Sequence, residues 1–131
     1  MKKSIFLVLP LCTALYSPTQ AADFSIAFEW GDIPSCSDGY PNNVKNPRFE
    51  LMNVPATTQS ITFEMNDLDV DYYHGDGVAK YDGKDVIESG VFEYESPCPP
   101  GGVHTYEWMA KAMDSAGQVL AQATARRKYP E

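Results

Sequence analysis

The sequence predicts an all-β domain, a sandwich of short strands, from three observations. Apolar and aromatic residues alternate at period two in several short segments. Turn-forming residues separate those segments at close intervals. No stretch carries the three-to-four-residue apolar spacing of a long amphipathic helix.

The alternation is clearest at the start. In residues 23–30, Phe24, Ile26, Phe28 and Trp30 share one parity, with Ser25, Ala27 and Glu29 between them. That pattern fits a half-buried strand. Residues 31–55 are rich in Gly, Pro, Asn, Asp and Ser and read as turns, with Phe49, Leu51 and Val54 as a short apolar return. Residues 60–65 give a second clear strand, with Ile61, Phe63 and Met65 on one face and Thr62 and Glu64 on the other. The acidic stretch 66–71 follows, and Tyr72, Tyr73, His74, Gly75, Asp76 and Gly77 read as a loop. Short strands are expected at 78–81 and 86–87, and residues 91–94 lead into a Pro/Gly loop. In residues 105–113, Tyr106, Trp108, Ala110 and Ala112 share a parity, so a strand is expected there. Residues 118–125 return with Val119, Ala121, Ala123 and Ala125 in register, although their alanine content also admits a minor C-terminal helix.

The amino terminus has a different character. Lys2 and Lys3 precede an apolar run over 5–16, and small polar residues end at Ala21 and Ala22. This is the pattern of a secretory signal peptide. The run, about a dozen residues, is too short to span a bilayer comfortably. The expected organisation is a signal peptide over 1–21 and one domain over 22–131, delivered to the periplasm or secreted, with no transmembrane segment. Cleavage removes Lys2 and Lys3 and no acid, so the formal charge goes from −8 to −10. Such a charge repels nucleic acid at long range, and no nucleic-acid partner is expected. Of the three cysteines, Cys36 and Cys98 remain after cleavage. In an oxidising compartment the pair is expected to form one disulfide.

Two groups of residues invite chemistry. Asp67, Asp69 and Asp71 open like a calcium loop, but Tyr72 and Val78 stand where that motif needs glycine and glutamate. They are read either as an exposed edge with local turn chemistry or, if the strand continues, as acids sharing one face. Of the two histidines, His74 directly precedes Gly75 and His104 lies two residues after Gly102, and each could be a surface residue or, with the acids, part of a metal or anion site. No nucleophile-elbow or phosphate-loop glycine motif is present, so the chain is not expected to be an enzyme. No metal and no cofactor are expected.

A family resemblance adds to this reading. Asn53-Val54-Pro55 before a strand, Asp67-Leu68-Asp69 at its end, Pro99-Pro100-Gly101-Gly102-Val103-His104-Thr105-Tyr106, and Ala112-Met113-Asp114 occur in that order. Across about residues 46–115 the chain resembles the phosphatidylethanolamine-binding protein (PEBP) family, most closely its bacterial Raf-kinase-inhibitor-like branch. The resemblance implies a PEBP-like β-sandwich in a short version. It also implies a pocket for a small anion, such as phosphate or a phospholipid head group. The residues it assigns to ligand binding are Asp67, Asp69, His104, Pro99, Pro100 and Tyr106, with His74 as the candidate for a second site histidine. Leu68 and Asp71 stand where the family has prolines, and Thr105 stands where it has arginine. The function expected is an exported, non-enzymatic binding protein. The alternative is a protein-interaction or inhibitor module on the same fold, signalled by an exposed patch of Tyr40, Tyr72, Tyr73 and Tyr81.

Overall fold

A computed structural model describes residues 22–36 and 38–131. The expected signal peptide, residues 1–21, lies outside the described residues. Nine strands run in chain order: β1 (Ser25–Phe28), β2 (Asn43–Lys45), β3 (Phe49–Met52), β4 (Ser60–Asp67), β5 (Tyr72–Lys80), β6 (Val86–Ile87), β7 (Glu93–Glu95), β8 (His104–Met113) and β9 (Val119–Tyr129). They form an antiparallel four-stranded sheet in the order β5-β4-β8-β9, a three-stranded sheet β1-β3-β6 and a ribbon β2-β7. The all-β expectation holds. The helix admitted for the alanine-rich segment is a correction: that segment is β9, and no helix occurs among the described residues. Pairing with β8 from Met113 back to His104 decides the matter, because tertiary pairing outweighs alanine's local preference.

The period-two pattern fixes which face is inward. Ile61, Phe63 and Met65 on β4, and Tyr106, Trp108, Ala110 and Ala112 on β8, are buried side by side. Phe24, Ile26, Phe28 and Trp30 bring the β1 segment against them, with Phe49 and Leu51 from β3. Rings fill the space between the layers. Phe49 stacks on Phe63 with centroids 4.3 Å apart, and Trp108 meets Phe49 and Tyr94 edge-on at 5.2 and 4.9 Å. Buried Asn46 organises the ribbon. Its amide donates to the carbonyls of Pro47 and Glu88, and its oxygen accepts from the amides of Gly90 and Phe92.

The segment 72–77, expected as a loop, is instead the first part of β5. Its glycines serve packing rather than turning. The Phe92 ring lies over Gly77 where any Cβ would sit, and Gly75 takes a φ of 115° against the Tyr94 main chain. A β-bulge between Met65 and Asn66 accompanies this: Met65 pairs with Gly75, Asn66 with Tyr73 and Asp67 with Tyr72. His74 is the extra residue, and the bulge turns it to the inner face, where it is buried. The acidic stretch divides, since β4 ends at Asp67 and residues 68–71 make the turn into β5. Asp71, at a φ of 51°, belongs to that turn and does not share a strand face with Asp67.

The disulfide expected from composition is present. Cys36 and Cys98 are joined, with their Cα atoms 5.4 Å apart. The bridge ties the turn-rich segment after β1 to the loop that precedes β8.

Candidate functional site

At one end of the four-stranded sheet the pairing places Tyr72, Asp67 and Tyr106 in one row on three neighbouring strands. His104 lies two residues before Tyr106 on β8, so it shares that inner face. His74 joins them from the bulge, its ring edge-on to both Tyr72 (4.7 Å) and Tyr106 (5.3 Å). The His104 and Tyr106 rings are roughly parallel, with centroids 6.3 Å apart.

Polar contacts lock this cluster. His104 Nδ1 donates to Asp67 Oδ2 at 2.6 Å, and Asp67 Oδ1 accepts from the Asp69 amide at 2.8 Å. The Asp69 carboxylate accepts from the Thr105 amide at 2.6 Å, and the Leu68 amide donates to the Thr105 carbonyl at 2.9 Å. The β4–β5 turn is thus sewn to the start of β8 by side chain and main chain together. Asp67 is only 4 % exposed, and its charge is matched by donors. Nδ1 of His104 is engaged, which leaves Nε2 for other contacts.

His74 is 3 % exposed and donates from Nδ1 to the Glu95 carbonyl at 2.8 Å, which fixes the proton on Nδ1 because a carbonyl can only accept. Burial pushes its pKa below 6.5, against the opposing pull of the Glu95 carbonyl and the Asp67 charge. The unfolded state therefore takes up a proton near pH 6.5 that the folded state resists. Stability associated with neutral His74 is present above that pH and is lost as the pH falls below it. His74→Gln is expected to flatten the decline in stability between about pH 7 and about pH 5. Urea unfolding at both pH values checks this, and equal declines in the two proteins would exclude His74 as the cause.

Tyr106 is fully buried, and its hydroxyl makes no well-aligned hydrogen bond, although the Asp67 carboxylate lies beside it. Burial, and then the neighbouring Asp67 carboxylate, push its phenol up. The Cys98 main chain also lies against this hydroxyl, which places the disulfide-anchored loop over the cluster. An unpartnered buried hydroxyl costs stability. Tyr106→Phe is accordingly expected to leave the unfolding free energy unchanged or raise it by up to about 1 kcal/mol. A loss of that size in chemical denaturation would show that the hydroxyl is partnered in solution.

Of the residues implicated by the sequence, the structure brings together Asp67, Asp69, His104, Tyr106 and His74. The placement of His74 corrects the loop expected there. Pro99 is half-buried and Pro100 is exposed, in the turn between Cys98 and His104. Tyr72 was expected in a surface tyrosine patch, but it packs on His74 and its hydroxyl donates to Glu95 at 2.7 Å. A hydrogen bond to that carboxylate raises the Tyr72 phenol. Tyr81 packs against the core, whereas Tyr40, Tyr72 and Tyr73 of that set are exposed. The signal that could have found Tyr72 is its spacing from His74, which two-residue alternation puts on one face. Two clefts of about 830 and 840 Å³ lie elsewhere, beside Phe28 and Arg127, and neither is lined by Asp67, Asp69 or His104.

This sandwich, with an acid at the end of β4 facing a histidine at the start of β8, has the phosphatidylethanolamine-binding protein fold. A PEBP homologue from Chlamydia trachomatis, CT736, superposes with a TM-score of 0.62 at 19% identity, over 83% of this chain and 98% of that one. Escherichia coli YbcL, a member of the mammalian PEBP family, superposes with a TM-score of 0.56 at 14% identity, over 82% and 98%. No protein-family model and no curated protein sequence matches the chain.

Proposed function

We propose that the chain is an exported, non-enzymatic binding protein that holds a small phosphate-bearing ligand, free or as a lipid head group, against His104. One observation carries the reading. His104 is clamped through Nδ1 to buried Asp67 at 2.6 Å, which orients the ring and leaves its other nitrogen for a ligand oxygen. The PEBP fold supports a binding role by analogy alone. Exposed Leu68, Val70 and Val103 lie in the two loops that meet at the cluster and give it an apolar rim suited to acyl or glycerol carbons. The non-enzymatic part draws support from the side-chain contacts. Among the described residues neither histidine is hydrogen-bonded to a serine, threonine or cysteine side chain that it could activate. The disulfide suits an oxidising destination outside the cytoplasm.

Phosphate and phosphoethanolamine titrations followed by NMR test the reading. Saturable shifts of the His104 ring signals are expected, with affinity reduced at least about tenfold in His104→Ala, the range lost when a hydrogen bond to a charged group is removed. Unchanged spectra at millimolar ligand, with and without added metal salts, would overturn it.

A further inference from the structure

The two edges of the four-stranded sheet are built differently. β5 carries a bulge, two glycines, Asp76 and Lys80, and the main chain of β7 lies against it at Gly75. Bulges and charges are devices that keep an edge from pairing with another chain. β9 lacks them over most of its length. Residues 119–125 contain no charge, no proline and no glycine, and the strand runs for 11 residues at the end of the order β5-β4-β8-β9.

Two contacts set the direction of its free main-chain groups. Thr105 faces Lys128 in the β8–β9 ladder, yet its amide donates to Asp69 and its carbonyl accepts from Leu68, both on the β4 side. Lys128 correspondingly points away from β8, and its carbonyl accepts from the Trp30 indole at 2.8 Å. The side alternates from residue to residue along an antiparallel strand. Pairing with β8 is unbroken from Tyr129 back to Ala121, so Gln122, Thr124 and Arg126 also turn their N–H and C=O groups outward. No strand pairs with β9 on that side, and among the described residues no main-chain hydrogen bond reaches these groups. Phe28 and Trp30 cover the edge only at its far end, where the Phe28 carbonyl accepts from Arg127 Nε and Trp30 holds Lys128.

A second β9 complements this edge about a two-fold axis at Thr124. Antiparallel pairing there sets Thr124 against its twin and Gln122 against Arg126 on each side, which uses every outward residue between the turn and Trp30. All three side chains stand on the exposed outer face, where a threonine pair is favourable. The charge of the strand selects the same arrangement. β9 is neutral through Ala125 and basic over 126–128, so antiparallel copies lay each basic end against a neutral one. A parallel pair, or one centred on Arg126, would bring like charges face to face.

We propose that two copies of the chain pair β9 with β9 about Thr124, joining their four-stranded sheets into one continuous sheet. The same strand serves both copies, so the contact closes at two and leaves neither β9 edge open. It is independent of any ligand at His104. His104 lies opposite Tyr129, beyond the paired stretch, so each copy keeps its cluster open and the two clusters fall at opposite ends of the joined sheet. Three facing pairs make a small interface, and the dimer is accordingly weak and concentration-dependent.

Sedimentation equilibrium of the oxidised protein from about 1 μM to about 1 mM tests the association, and amide hydrogen exchange tests its place. A monomer–dimer equilibrium is expected, with the amides of Gln122, Thr124 and Arg126 exchanging fast at low concentration and protected at high. Thr124→Pro removes the donor at the axis without touching the β8 side, and is expected to weaken the dimer at least about tenfold. Thr124→Lys sets two cations across the axis and stays informative should the proline variant fail to fold. Its dimer is expected to weaken at low salt and to recover as salt is raised. Val78→Lys, at an exposed position on the opposite edge, is expected to leave the dimer unchanged. A chain that stays monomeric leaves this edge to a foreign strand and overturns the proposal. Protection of the three amides in the monomer shows an edge covered from within the chain, and overturns it as well. So does a dimer that leaves those amides unprotected, a dimer equal in wild type and both Thr124 variants, or assembly beyond two copies.

Discussion

Replacing Cys36 and Cys98 together by serine is expected to lower the free energy of unfolding by about 4 kcal/mol. The bridge closes a sequence separation of 62 residues, and most of that segment's freedom is restored to the unfolded chain when the bridge is absent. A domain of this size has about 5–15 kcal/mol in total, so the loss is a large share of what holds it. Among the described residues of the segment after β1, Ile33 packs against the core and the hydrogen bonds to the β7–β8 connection come from Asn42. The Asn42 amide donates to Ser96 Oγ, and the Ser96 amide donates to the Asn42 carbonyl. Both anchors lie beyond the stretch that carries Cys36, so the bridge is what holds residues 31–41 to the β7–β8 connection. Urea unfolding of the double variant against the oxidised wild type measures the effect. A difference under about 1 kcal/mol would mean that the unfolded chain stays compact here without the bridge. Because the Cys98 main chain touches Tyr106, the same variant should also loosen the wall over His104.

Trp108→Ala is expected to cost about 3–5 kcal/mol. The indole is wholly buried at the middle of β8. It meets the rings of Phe49, Phe63, Phe92 and Tyr94 at centroid distances from 4.9 to 6.4 Å, so its removal opens a cavity bounded by three other strands and the segment before β7. Phe49, Phe63 and Tyr94 sit on hydrogen-bonded strands of three separate sheets and cannot all move inward, so the cavity term adds to the lost transfer energy. Trp108→Phe separates packing from polarity. The indole N–H is buried without a partner, so phenylalanine keeps most of the ring contacts and removes an unsatisfied donor. Its cost is expected to be at most about half that of the alanine variant. If the two variants prove equal in chemical denaturation, the N–H rather than the ring is what the site needs.

Much of this architecture was legible in the residues. Period-two alternation of Ile61, Phe63 and Met65, and of Tyr106, Trp108, Ala110 and Ala112, named the inward faces of the two central strands. It did so because a strand with one face on a core has little choice of parity. β2 was hidden in turn-rich sequence, since three residues carrying one half-buried valine leave no periodic trace. β5 was hidden by its glycines. Gly75 and Gly77 look like turn residues, yet one accommodates a bulge and the other lies beneath the Phe92 ring, and neither requirement shows in local sequence. At the C terminus, alanine gave no preference that could compete with ten paired positions on β8. The acids and His104 stood out as candidates from their residue types, but only the family resemblance joined them into one site. That Asp67 ends its strand facing His104, while Asp69 reaches Thr105 from a turn, depends on register between distant segments. Tyr72 shows the same limit: its partner His74 lies two residues away, but a loop assignment concealed that the two share a side.

The bulge at Met65 and Asn66 puts β5 in two phases. From Lys80 to Gly75 the strand follows the parity of β4 without interruption; past His74 the count is offset by one, and Tyr72 again falls opposite Asp67. The core is written in the first phase and the histidine of the site occupies the step between the two. An uninterrupted ladder would set His74 opposite Asn66, on the outer face, while leaving Ile61, Phe63 and Ala79 where they are. Core and site therefore answer to different kinds of sequence change. The core residues keep their register up to Gly75, whereas the placement of His74 depends on the number of residues between Asp67 and Gly75 as much as on their identity. A one-residue change in length between Asp67 and Gly75 would therefore displace His74 from the inner face without any substitution at a buried position.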